Sequence, residues 1–110
     1  MILKVKLAGG GSDQFNDAGY YYFNLNRIIS INAEFGGGVG FFTDGKGYQS
    51  GGSSVAWVLK NNTWSSADMQ KVLNAIYKTI QANPNGKVVE LRLPTGIEIE
   101  SIEVFGTFEI

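Results

Sequence analysis

Ser65–Asn83, SSADMQKVLNAIYKTIQAN, is the stretch whose reading decides the fold. Met69, Val72, Leu73, Ile76, Tyr77 and Ile80 recur at three- and four-residue spacing, which puts them on one face of a helix. Asp68, Gln70, Lys71, Asn74, Lys78 and Gln81 fill the other face. Ser65 with Asp68 three residues on forms a capping-box-like start, its carboxylate favoured at the positive helix end. Asn83-Pro84 stops the helix, because proline disfavours a helical residue before it and cannot extend the hydrogen-bond ladder. A helix this short is marginal alone, so its apolar stripe must lie on something. The segments around it read as strand and turn. One helix covering a β core is the expected design.

Working towards the N-terminus, Ala56, Val58 and Lys60 alternate with Val55, Trp57 and Leu59 over Val55–Lys60. Val39–Phe42 is a strand after Gly36-Gly37-Gly38. Asp44-Gly45 favours a type I′ hairpin turn, with Gly47–Gln49 as the return. YYFNLNRIISINAEF (residues 20–35 less the first Tyr) is the richest strand material in the chain. Tyr20–Leu25 and Arg27–Phe35 are two strands there, with Asn24 and Asn26 marking a bend between them. In the second, Ile29, Ile31, Ala33 and Phe35 share a face. Ile2–Ala8 alternates apolar residues with Lys4 and Lys6, fitting a strand with one wet face or a sheet edge. Gly9–Ala18 reads as a flexible loop.

Beyond the helix, Lys87–Leu93 alternates cleanly, and Pro94-Thr95-Gly96 reads as a hairpin turn into Ile97–Glu100. From Ile102 the phase slips, since Ile102, Val104, Phe108 and Ile110 share even positions. A bulge or bend near Glu100–Ser101 follows. Seven or eight short strands with fifteen glycines imply a strongly curved sheet or small barrel.

Composition narrows the function classes. A chain of 110 residues is a single domain, 1–110, able to bury about 65% of its unfolded surface. With 44% hydrophobic and 17% charged residues it is globular. A net charge of −1 supplies no global field to draw it to nucleic acid or anionic lipid. Residues 1–87 hold eight Lys/Arg against five Asp/Glu, whereas residues 88–110 hold one Arg against five Glu. There is no cysteine and no histidine, which excludes disulfides, thiolate nucleophiles, Cys/His zinc sites, imidazole bases and Ser-His-Asp triads. MILKVKLAGGG lacks the apolar run of a signal peptide and no segment has membrane-spanning length, so a cytoplasmic location is expected.

Four constellations carry what chemistry there is. The glycines of Gly9–Asp17 suit an anion cradle, but no Lys follows and no helix opens, as a phosphate loop requires. Asp13, Asn16 and Asp17 offer oxygens without the alternating order of a calcium loop. Glu98, Glu100 and Glu103 form the densest carboxylate group, the first two about 6.5–7 Å apart on one strand face. That separation overlaps the pair in inverting glycosidases, yet exposed glutamates guarding an edge explain it better. The fourth group is aromatic. Phe41, Phe42, Lys46 and Tyr48, with the run Tyr20–Phe23, interleave rings and cation as single-stranded nucleic-acid binding needs. A strand run of four aromatics also puts about half its rings outside the core.

FNLNRIISINAEF followed by GFFTDGKGYQ resembles the central long strand and hairpin of the Sm-like small β-barrels. The resemblance implies five short, bent strands closing a barrel, one helix, and assembly into rings. The family's Asp-x-x-Met-Asn and Arg-Gly-Asp/Asn signatures are absent, so no RNA-binding residue carries over, and the helix lies late rather than at the N-terminus. The Gly- and Asn-rich, cysteine-free style is also similar to that of small phage proteins. The expectation is a mainly β, strongly bent Sm-like/SH3-like barrel with the helix Ser65–Asn83 packed on it. It acts as a non-enzymatic, homo-oligomeric assembly or binding module without cofactor, metal or membrane partner, and Tyr21 and Phe23 contact another subunit. The alternative is single-stranded nucleic-acid (RNA) binding through exposed aromatics and Gly-rich loops, with Phe42, Lys46 and Tyr48 as contacts.

Overall fold

The structure is a computed structural model that describes residues 1–43 and 56–105. Its elements run β1 (Ile2–Leu7), β2 (Gly19–Asn24), a 3-10 turn (Leu25–Arg27), β3 (Ile28–Phe35), β4 (Gly38–Thr43), β5 (Ala56–Lys60), α1 (Ser66–Ala82), β6 (Val88–Glu90) and β7 (Ser101–Phe105). The expected Asp44-Gly45 turn, the Gly47–Gln49 strand, Lys46, Tyr48 and the last even positions, Phe108 and Ile110, lie outside the described residues.

The strands form two sheets, ordered β2-β1-β6 and β3-β4-β5-β7. Among the described residues the sheets do not close into a barrel. The second sheet is antiparallel throughout, whereas β1 pairs antiparallel with β2 and parallel with β6. β1 is therefore a central strand with one wet face, its Leu3, Val5 and Leu7 buried and its lysines outward. The ladder of β6 on β1 stops where Leu91 N–H donates to Lys4 O, and the chain rejoins β1 where Ala8 N–H donates to Ile99 O. Pro94 does begin a turn, with Ile97 N–H donating to its carbonyl, but the segment beyond it continues parallel to β1. The hairpin expected there does not form, because both flanks satisfy their backbone groups on β1 rather than on each other.

Between Ile99 and Ile102 the chain passes from the first sheet to the second, which accounts for the phase slip: Ile99, Ser101 and Ile102 are all buried. The Asn24–Asn26 bend is the 3-10 turn, where the Asn24 side chain accepts from Asn26 N–H. A register shift between Ile28 and Ser30 turns Ile29 outward and Ile28 towards the core, the reverse of simple alternation.

The helix follows its sequence closely. Ser65 Oγ accepts from Asp68 N–H while Asp68 Oδ2 accepts from Ser65 N–H, completing the capping box. Val72, Ala75, Ile76 and Thr79 are its buried residues, so the stripe is centred one position from the expected one and Tyr77 lies exposed. α1 packs on β3, β4 and β6. Its Val72 and Ile76 join Leu3, Val5, Leu7, Phe41, Leu59 and Ile102 in a core shared by both sheets. Each such fully buried aliphatic side chain contributes about 1.5–3 kcal/mol.

Candidate functional site

The Tyr20–Phe23 run sorts into two faces by its register on β1. Val5 opposes Tyr21 and Leu3 opposes Phe23, so those two rings share the buried side of the sheet. Phe23 is only 8% exposed, stacked on Phe41 at 4.9 Å and edge-on to Trp57 at 6.3 Å. Tyr21 is half-buried against Phe15, centroids 5.9 Å apart. The two rings expected between subunits thus pack within the protomer itself. The outward rings are Tyr20 and Tyr22, 47% and 59% exposed.

On that outer face Lys6 opposes Tyr20 and Lys4 opposes Tyr22. Lys4 Nζ lies 4.2 Å from the centroid of the Tyr20 ring, a cation–π contact, and 3.8 Å from Glu90 on β6. A run of alternating aromatic and cationic side chains, which sequence alone spread over four rings, is here reduced to two tyrosines and two lysines on one sheet face. Phe42, the third residue expected to contact a partner, is half-buried on the second sheet, edge-on to Phe35 at 4.7 Å. It stands on a different sheet from the tyrosine face.

Among the described residues, the same strand carries an open hydrogen-bonding edge. Leu25 N–H donates to Met1 O, which makes that opposed pair, and every second pair after it, the hydrogen-bonded ones. Gly19, Tyr21 and Phe23 therefore direct their backbone groups at β1, and Tyr20, Tyr22 and Asn24 direct theirs away from it. β2 ends its sheet, and it carries neither charge nor proline. The other edges are each blunted. β6 is three residues long. β3 has register shifts at both ends, the second around Glu34, whose φ of 63° lies in the left-handed region.

β7 is covered by the glycine loop. Phe15 exchanges backbone hydrogen bonds with Ile102, and the Gln14 side chain both donates to Val104 O and accepts from Val104 N–H. Asp13 pins this cover: Ser101 Oγ donates to Asp13 Oδ2 at 2.6 Å, and Lys60 Nζ lies 3.6 Å from Asp13 and 2.7 Å from Glu103. The chain can lie this close only because position 11 has no side chain; a Cβ there would stand 2.5 Å from Ser101 Oγ. The loop is thus an edge cover rather than an anion cradle. Asn16 Nδ2 donates to Gly11 O within the loop while Asp13 is taken up by Ser101 and Lys60 outside it, and no cluster of potential metal ligands forms among the described residues.

Lys60 and Ser101 lie close enough to invite a nucleophile–base reading, but their states oppose it. The hydrogen bond to Glu103 raises the Lys60 pKa above its ordinary 10.5, against the lowering effect of partial burial and with help from Asp13. A lysine held as a cation is no base, and Ser101 is a buried donor to a carboxylate. The glutamates are equally dispersed: Glu100 accepts from Asn62 N–H and Glu103 holds Lys60, while Glu98 is exposed. No helix of the described residues is long and apolar enough to cross a membrane.

Comparison with known protein families, with characterised proteins and with solved structures finds no match to this chain.

Proposed function

We propose that the protein is a cytoplasmic, non-enzymatic assembly module that associates with itself through the edge of β2. The observation that carries this reading is the contrast among edges within the described residues: β3 is bulged, β6 is short and β7 is covered, while β2 presents an uncharged, aromatic row of backbone groups that no described residue covers. Two copies related by a two-fold axis would pair β2 antiparallel with β2, extending the three-stranded sheet to six strands. Tyr22 or the Tyr20–Tyr22 pair then meets its symmetry mate across the axis, and aromatic cross-strand pairs favour such a register. A closed ring of the Sm-like kind would need β2 to pair with a different edge of the next copy, and the bulges of β3 make that edge a poor acceptor. A dimer is the favoured assembly. A patch of one strand lies at the small end of specific interfaces, so micromolar affinity is expected.

Light scattering of the wild type and of Tyr22→Pro tests this. Proline at 22 removes an N–H that points away from β1, so the protomer keeps its ladder while the edge loses a central donor. The wild type is expected to approach twice the protomer mass with rising concentration, and Tyr22→Pro to stay at one. A wild type that remains at protomer mass throughout, or a variant that dimerises equally, defeats the proposal.

A second reading is favoured by the lysine–tyrosine face itself. Single-stranded nucleic acid stacks bases on aromatic rings and places phosphates near lysine, and Tyr20 and Tyr22 stand about 7 Å apart along one strand. In the dimer two such faces would adjoin. Oligothymidylate affinity that falls steeply with salt, and falls again in a Tyr20→Ala/Tyr22→Ala variant, is the expected result; absence of binding at low salt removes this reading.

A further inference from the structure

After Leu91 the chain leaves the β1 ladder, and its Arg92–Pro94 portion lies along the later turns of α1. The two enclose a cleft of about 520 Å³. Its position is set by a buried hydroxyl. Thr79 Oγ1 donates to Ala75 O at 2.8 Å and accepts from Arg92 N–H at 3.4 Å, which pins the backbone of residue 92 to the helix. Lys71, Asn74 and Lys78 recur at helical spacing along the same wall, so the pinned segment puts Arg92 on the same cleft as two lysines.

The lining of this cleft is unusual for the molecule. Lys71, Lys78 and Arg92 line it and, among the described residues, no carboxylate does, although the chain as a whole is slightly acidic. None of the three forms an ion pair among the described residues. Three like charges gathered in a concavity repel one another when it is empty, and an anion entering it relieves that repulsion. The floor is apolar, with Ala75, Leu93 and Pro94. The volume lies within the roughly 300–1,000 Å³ of small-molecule sites.

We propose that this cleft binds a phosphorylated small molecule, its phosphoryl dianion held by Lys71, Lys78 and Arg92 and its organic part resting on Leu93 and Pro94. A dianion matches three cations better than a monoanionic carboxylate does, and the planar guanidinium suits two phosphoryl oxygens at once. The helix ends at Ala82 with its negative pole, which directs the phosphoryl group towards Lys71 and Lys78 rather than towards Asn83. The site shares no lining cation with the tyrosine face, so it stands or falls apart from self-association.

A nitrogen-15 NMR titration at constant ionic strength tests the proposal, with adenosine monophosphate, adenosine and a short oligonucleotide lacking terminal phosphate as probes. Adenosine monophosphate is expected to shift the amides of Asn74, Lys78, Thr79 and Arg92 saturably, and adenosine is not. Arg92→Gln and Lys78→Gln, both at exposed positions, should each weaken binding about tenfold, the loss that one charge-assisted contact represents. Tyr22→Pro should bind as the wild type does. No saturable shift with adenosine monophosphate, or unchanged affinity in both variants, overturns the proposal. So does tighter binding of the oligonucleotide at the same amides, which would reassign the cleft to a nucleic-acid backbone.

Discussion

Asp13→Ala removes the pin that holds the glycine loop over β7, and its cost can be worked from the contacts. Ser101 is 2% exposed and donates its hydroxyl hydrogen to Asp13 Oδ2 at 2.6 Å. Removing the acceptor strands a buried donor, which costs about 1–3 kcal/mol. The second loss is the Lys60–Asp13 pair at 3.6 Å, between side chains 19% and 15% exposed. Because Lys60 keeps its 2.7 Å contact with Glu103, that loss is the smaller, on the order of 0.5–1 kcal/mol. The sum, about 1.5–4 kcal/mol, would appear as a lower urea midpoint at unchanged slope. Asp13→Asn retains an acceptor oxygen for Ser101 and gives up the charge, so about 1 kcal/mol is expected. Loosening the loop also bares the β7 edge, and sedimentation should show larger species in Asp13→Ala than in the wild type. A destabilisation below about 0.5 kcal/mol, the ordinary effect of a surface change, would refute the pinning role.

Other outcomes follow from the same structure. Phe23→Ala should cost about 3–5 kcal/mol, since the ring is buried on Phe41, whereas Tyr20→Ala, which removes a half-exposed ring and its contact with Lys4, should cost about 1 kcal/mol or less; chemical denaturation of the pair checks which face of β2 is inside. Lys60 has a folded pKa above its unfolded 10.5, so its contribution is fully present below that value and is lost as pH rises through the higher folded one. Stability measured upward from pH 9 should therefore fall more steeply in the wild type than in Lys60→Met, and parallel curves would contradict the Lys60–Glu103 assignment.

Local chemistry determined the pieces. The capping box at Ser65 and Asp68, the stop at Asn83-Pro84, the bend at Asn24–Asn26 and the phase slip before Ile102 are written within a few residues of where they act. Local rules therefore suffice for them. What tertiary structure decided is partnership. Alternation shows that Tyr20–Phe23 has two faces, but four aromatic residues in a row carry no polarity to say which is inside, and only the register of Leu3 and Val5 against β2 settles it. Pro94-Thr95-Gly96 permits reversal, yet the free side of β1 accepts both flanking segments and draws them parallel. The glycine loop reads as slack because its partners, Ser101 and Lys60, are distant in the chain. The cationic cleft is invisible for the same reason. Lys71 and Lys78 look like a solvated helix face until a hydrogen bond to Thr79 delivers Arg92 beside them. Periodicity reports how a segment divides between inside and outside; which groups meet there depends on non-local hydrogen bonding and burial, which the whole chain must satisfy together.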